Sequence, residues 1–133
     1  MAIRILVAGS TTANAELARE ALTPLECEVS PVTSISLGLF LAHKTLPDLI
    51  VADRQMVDGS GFDFLREVKA DRELREIPFV FMCETADNGD KRKGLALGAD
   101  RFIERPAGSK QFLEEVRQYL RERKQWRPEE SPV

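Results

Sequence analysis

A chain of 133 residues with 43% apolar content supports one hydrophobic core rather than two. Its net charge of -3, with 31% charged residues of mixed sign, lacks the basic excess that general nucleic-acid binding requires. Two cysteines without metal-ligand spacing, Cys27 and Cys83, and one histidine, His43, argue against a zinc cage or a disulfide framework. Reduced thiols fit a cytoplasm. No charged stretch leads into an apolar run at the start, and no run approaches the roughly 20 apolar residues of a membrane span.

In chain order, the β-branched and apolar run 3–8 reads as a strand covered on both faces, and it ends at Gly9-Ser10-Thr11-Thr12. Thr11 or Thr12 can cap a helix that has Glu16 in its first turn and Leu17, Ala18, Ala21 and Leu22 on one face. Pro24 stops it, and a second strand follows over 26–32. A second helix is expected over 36–44, with Leu37, Phe40 and Leu41 on the inner side and His43 at the surface. After Pro47 the apolar run 49–52 stops at the carboxylate of Asp53 and gives way to a loop rich in Asp, Gly and Ser. That pattern describes a buried strand carrying Asp53 to its carboxyl end, where open α/β sheets keep their sites.

A third helix follows on Phe62, Leu65, Val68 and Lys69, and Pro78 introduces an apolar strand over 79–83. Asp87-Asn88-Gly89-Asp90 signals a turn or helix start. The fourth helix ends at Leu97-Gly98, with Gly as a left-handed cap, before a short strand at Phe102 and Ile103. Phe112, Leu113, Val116, Tyr119 and Leu120 give a last helix, and the Pro and Glu residues beyond Trp126 suggest a frayed tail. The expected organisation is one domain over 1–124 and a tail over 125–133. Strands alternating with helices at this spacing predict an α/β fold, a doubly wound parallel sheet with helices on both faces.

Asp53, with Met56 three residues on and Gly61 eight residues on, resembles the phosphoacceptor loop of bacterial response-regulator receiver domains. Leu97-Gly98-Ala99-Asp100 and Arg105-Pro106 match the family's fifth-strand region in spacing, so the likeness runs along almost the whole chain. The resemblance implies a flavodoxin-like, CheY-like sheet of five strands in the order 2-1-3-4-5. It also implies a stand-alone module of two-component phosphorelay signalling rather than a turnover enzyme. The family's partners are proteins, among them histidine kinases and downstream effectors. A homodimer through the fourth helix, fifth strand and fifth helix belongs to the same expectation, with no nucleic acid and no membrane.

The sequence departs from the family at three places. The acidic pair that binds Mg²⁺ together with the acceptor Asp is replaced by Gly9 and Ser10, which leaves Asp53 as the one retained carboxylate. No cofactor is expected, and Mg²⁺ binding should be weak or absent. Cys83 stands where a Thr or Ser holds a phosphoryl oxygen, although a local slip would bring Thr85 there. Arg105 replaces the Lys that pairs with the carboxylate, and its planar fork can clamp Asp53. Gln55 and Glu84 complete the pocket positions. Glu84 either repels an incoming phosphoryl group, imitates one, or points into water.

Phe102 falls at the family's switch-aromatic position, and plain core packing explains it equally well. Arg117, Arg121, Arg123, Lys124 and Arg127 make a basic edge that either complements a helix C-terminus or selects an acidic partner. The primary expectation is therefore a protein-interaction module with little Mg²⁺-dependent phosphorylation. The rival is a genuine aspartyl-phosphate switch at Asp53. A more distant reading takes Gly9, Ser10, Thr11, Thr12 and Asn14 as a flavodoxin-like loop for FMN or another anion.

Overall fold

The structure is a computed structural model, and it describes residues 3–21, 27–83, 88–104, 114, 117 and 118. Strand β1 (Ile3–Ala8) leads into helix α1 (Ala13–Ala21), followed by β2 (Cys27–Val32) and α2 (Ile35–Thr45). Next come β3 (Leu49–Ala52), the two-residue strands β4 (Gln55–Met56) and β5 (Gly59–Ser60), and α3 (Gly61–Ala70). The series closes with β6 (Phe79–Cys83), α4 (Asn88–Ala96) and β7 (Arg101–Glu104). Five strands form one sheet in the order β2-β1-β3-β6-β7, and every neighbouring pair is parallel. This is the doubly wound parallel sheet expected from the sequence, in the strand order that the family resemblance implies. A small antiparallel β4-β5 hairpin after Asp53, in which Gln55 faces Ser60 and Met56 faces Gly59, was not among the expected elements.

Strand periodicity divides the core into two layers, because successive side chains of one strand point to opposite faces. Ile5, Val7, Leu49, Val51, Val80, Met82 and Ile103 pack with Ala15 and Ala18 of α1. Leu6, Ala8, Ile50, Ala52, Phe79 and Phe81 face the other way, against Phe62, Phe64, Leu65 and Val68 of α3 and Ala42 of α2. Burying both faces excludes water from the whole middle of the sheet and leaves only the strand ends open to solvent.

The inner face of α2 is not the one expected. Leu37 and Phe40 are 46% and 60% exposed, and the buried positions are Gly38 and Ala42, with Leu41 partly buried. The reason is close approach. A Cβ added at Gly38 would lie 3.0 Å from the Phe64 ring, so this face accommodates only small residues and shows no hydropathy signal. The helix starts at the Ser34 cap, whose hydroxyl accepts from the Leu37 N–H at 3.1 Å, and ends at Leu46 in a left-handed conformation with φ 46°. Gly98 does close the unit after α4 as expected, with φ 111° and its N–H donating to the Leu95 carbonyl at 3.1 Å.

The expected last helix and tail lie outside the described residues apart from Glu114, Arg117 and Gln118. Among the described residues, no helix is long and apolar enough to cross a membrane.

Candidate functional site

Asp53 follows directly on β3, and its N–H donates to the Ala8 carbonyl at 2.8 Å, continuing the parallel ladder one residue beyond the strand. The carboxylate is thereby set at the carboxyl end of the sheet, half-buried. Its Oδ1 accepts from the Arg54 backbone N–H at 2.6 Å, and its Oδ2 accepts from the Asn14 side-chain amide at 3.3 Å. The same Asn14 nitrogen donates to the Met82 carbonyl at 3.2 Å. Asn14 is the one buried polar residue among those described, at 2% exposure.

The chain around Asp53 is tied on every side. The Ser10 N–H donates to the Gln55 carbonyl at 2.8 Å, and the Gly61 N–H donates to the Arg54 carbonyl at 2.8 Å. Gly61 must be glycine, because an added Cβ would run into the Asp53 carbonyl and the Phe81 ring. Ser60 caps α3 in a reciprocal capping box with Asp63, and those Ser60 hydrogen bonds hold the Asp63 carboxyl below the usual Asp range. Asp58 reaches across to α2, where it accepts from the Ile35 N–H at 2.7 Å and the Ser36 N–H at 3.4 Å. The Ile35 hydrogen bond is the main reason why the Asp58 carboxyl titrates below its ordinary value. On the opposite side Arg54 forms an ion pair with Asp90 of α4 at 2.7 Å. The loop after β3 thus touches α2, α3 and α4.

Further from Asp53, Phe102 lies inward. Its ring stacks on Phe81 at 4.9 Å with 20° between planes, and Gly94 lies close beneath it, where a Cβ would collide with the ring. This inward ring is also part of the core packing, since Phe102 lies against the larger apolar cluster.

Of the pocket positions read from the sequence, the structure brings together Gly9, Ser10, Asp53 and Gln55. Cys83 has its backbone at the end of β6, paired with Glu104. Glu84, Thr85 and Arg105 lie outside the described residues, as do Arg121, Arg123, Lys124 and Arg127. The role of Asn14 next to Asp53 was missed. It had a signal: a polar residue between Ala13 and Ala15, four residues before Ala18, on a helical face otherwise made of small apolar residues. Asn14 turns its amide inward, and the Thr11 hydroxyl accepts from the Ala13 N–H at 3.3 Å, so two groups of the proposed anion loop already have partners within the chain.

The residues present fit a divalent cation poorly. A Cβ added at Gly9 would lie 3.3 Å from the Asp53 Cβ, so position 9 faces the carboxylate, but glycine offers no ligand atom there. Asp90, the acidic residue on α4, is held by Arg54. A hard cation generally needs one or two carboxylates with further oxygens, and among the described residues Asp53 is the carboxylate that this corner leaves available. Among the described residues, the group close enough to share a metal ion is elsewhere, at the opposite end of the sheet. There His43, Asp71 and Glu73 offer ligand atoms within 4.8 Å of one another.

A carboxylate held in this manner at the end of the third parallel strand, under a Gly61 that cannot be larger, has a counterpart in known proteins. The family model described as response regulator receiver domain matches residues 5–117. The chain belongs to that family. Response regulator PleD of Caulobacter vibrioides is 34% identical over 121 residues, which covers 91% of this chain and 27% of PleD. The chain therefore spans about a quarter of that relative. The polar-differentiation response regulator DivK of Brucella ovis is 28% identical over 116 residues, covering 87% of this chain and 94% of DivK. Among solved structures, chemotaxis response regulator CheY4 of Vibrio cholerae has a TM-score of 0.80 at 19% identity, covering 89% and 98% of the two chains. The receiver domain of HemR from Leptospira biflexa has a TM-score of 0.76 at 28% identity, covering 87% and 92%. The CheY-like fold and the place of this receiver in two-component signalling follow from these matches.

Proposed function

We propose that this receiver acts in the cytoplasm as a protein-interaction module of a two-component pathway, with weak or no Mg²⁺-dependent phosphorylation of Asp53 and no turnover chemistry of its own. Its partners are proteins, a histidine kinase or a downstream effector. A second copy meeting it through the fourth helix, fifth strand and fifth helix is part of the same reading.

The observation that carries this reading is the replacement of the two family carboxylates by Gly9 and Ser10, with position 9 facing Asp53. Phosphoryl transfer to a carboxylate depends on positioning and on cations that neutralise developing charge. Among the described residues Asp53 is positioned by the Arg54 N–H and the Asn14 amide, while Gly9 and Ser10 stand where the family's cation-binding carboxylates would be. Cys83 at the hydroxyl position removes a further strong donor from the expected pocket.

The test is intact mass after incubation with a small phosphoryl donor, with and without Mg²⁺, beside an Asp53→Asn control and a typical receiver in the same tube. The reading predicts no gain, or a small one that Mg²⁺ does not raise. A full Mg²⁺-dependent gain of one phosphoryl group that disappears in Asp53→Asn would contradict it and establish the aspartyl-phosphate switch.

A further inference from the structure

We infer that Asn14 is the positioning residue of the Asp53 site, a buried amide that both orients the carboxylate and reports its state to the end of β6. This goes beyond the proposed function and rests on Asp53 standing at the family's acceptor position, whether or not it is phosphorylated. The geometry fixes the orientation of the amide. The Asp53 carboxylate at 3.3 Å and the Met82 carbonyl at 3.2 Å are both acceptors, so the NH₂ group and not the oxygen must face them. One nitrogen with two hydrogens thus links the ends of β3 and β6 from the first turn of α1.

The link is consequential because of where Met82 lies. It pairs with Ile103 of β7, and its neighbour Phe81 pairs with Phe102, whose ring it stacks on. A bond to an ionised acceptor is roughly twice as strong as one between neutral groups, and inside a protein linked hydrogen bonds polarise one another. When Asp53 is replaced by Asn, or when its carboxylate is converted to the mixed anhydride with a phosphoryl group so that the negative charge moves from the carboxyl oxygens to the phosphoryl oxygens, the carboxyl oxygen facing Asn14 becomes a weaker acceptor. The balance then moves toward the Met82 carbonyl. Asn14 thereby supplies a route from Asp53 to β6 and β7 that needs neither a metal nor the residue at position 83.

Nuclear magnetic resonance on the full chain tests this, with Asp53→Asn as the charge-neutral state and Asn88, which is exposed, as internal reference. The Asn14 side-chain hydrogens should exchange with solvent at least about ten-fold more slowly than those of Asn88, and Asp53→Asn should speed them several-fold. The same substitution should shift the carbonyl of Met82 and the amide of Ile103. In an Asn14→Leu background, which keeps the bulk and removes the donors, those shifts should fall to a fifth or less. Should Asn14→Leu not fold, the exchange measurements on the unaltered chain and on Asp53→Asn decide alone. Exchange of Asn14 as fast as Asn88, or as slow in Asp53→Asn as in the unaltered chain, would overturn the inference. So would undiminished shifts in the Asn14→Leu background. The mass measurement on Asp53 is independent of all these outcomes, so failure of the Asn14 link and failure of the proposed function are told apart.

Discussion

The two ends of the sheet use carboxylates differently. At the amino end they close the framework. The Asp48 carboxylate accepts from the Arg4 N–H at 2.9 Å, and that of Asp100 accepts from the Phe79 N–H at 2.9 Å, so each completes a strand ladder where the chain begins it. Asp71 belongs to the same set. It ends α3, accepts from the Glu73 N–H at 2.8 Å, and holds one nitrogen of His43 at 2.7 Å while Glu73 holds the other at 3.0 Å. At the carboxyl end, Asp53 joins the ladder with its own N–H and keeps its carboxylate out of it, held by a buried amide and one backbone donor. The difference teaches that an acidic residue at a strand end is structural when its oxygens complete the ladder. It is a candidate for chemistry when they do not.

The largest expected effect is at the carboxyl end. Gly61→Ala forces a Cβ into the Asp53 carbonyl, which is backbone and cannot swing aside, and should cost at least about 3 kcal/mol in urea unfolding. A loss below about 1 kcal/mol would mean that the loop is looser than described.

The next effect is on pH dependence. The carboxyls of Asp58 and Asp63 titrate below their ordinary value, Asp58 chiefly through the Ile35 N–H and Asp63 chiefly through the Ser60 N–H. Depressed folded-state values mean stability that is fully present above the ordinary Asp value of about 4 and is lost as the pH falls through it toward the lower folded values. Asp58→Ala should lower the urea midpoint at pH 7 and flatten the loss between neutral and acid pH. An unchanged acid limb would remove Asp58 from the account.

The smallest effect is expected from His43→Gln at the opposite end. The ring is 38% exposed and its contacts with Asp71 and Glu73 meet solvent, so their loss should leave the midpoint little changed. A loss comparable to that of Gly61→Ala would erase the contrast between the two ends.

The fold was legible because its strands are continuous apolar runs and its punctuation is strong. Pro47 and Asp53 bound β3, Pro78 precedes β6, and Gly98 closes the unit after α4. The place of Asp53 at the carboxyl end of β3 was legible from the apolar run that stops at it. The face of α2 was not, because its buried side is Gly38 and Ala42, small residues selected by the closeness of Phe64, while Leu37 and Phe40 carry the hydropathy outward. Nor were the long-range bonds of Asn14 and Asp58. A hydrogen bond between residues 14 and 53 depends on where the folded sheet brings their elements, which local periodicity does not encode.

The account stands most directly on the missing carboxylates, and the measurement that tests it is the Mg²⁺ dependence of the melting temperature for the unaltered chain and for the Gly9→Asp, Ser10→Asp double variant. A cation that binds only the folded chain raises its stability in proportion to the logarithm of its concentration. The account predicts a flat response from the unaltered chain. From the variant it predicts a lower melting temperature without metal, because like charges crowd Asp53, and a rise of several degrees with millimolar Mg²⁺. An unaltered chain that rises with Mg²⁺ as steeply as the variant would contradict it.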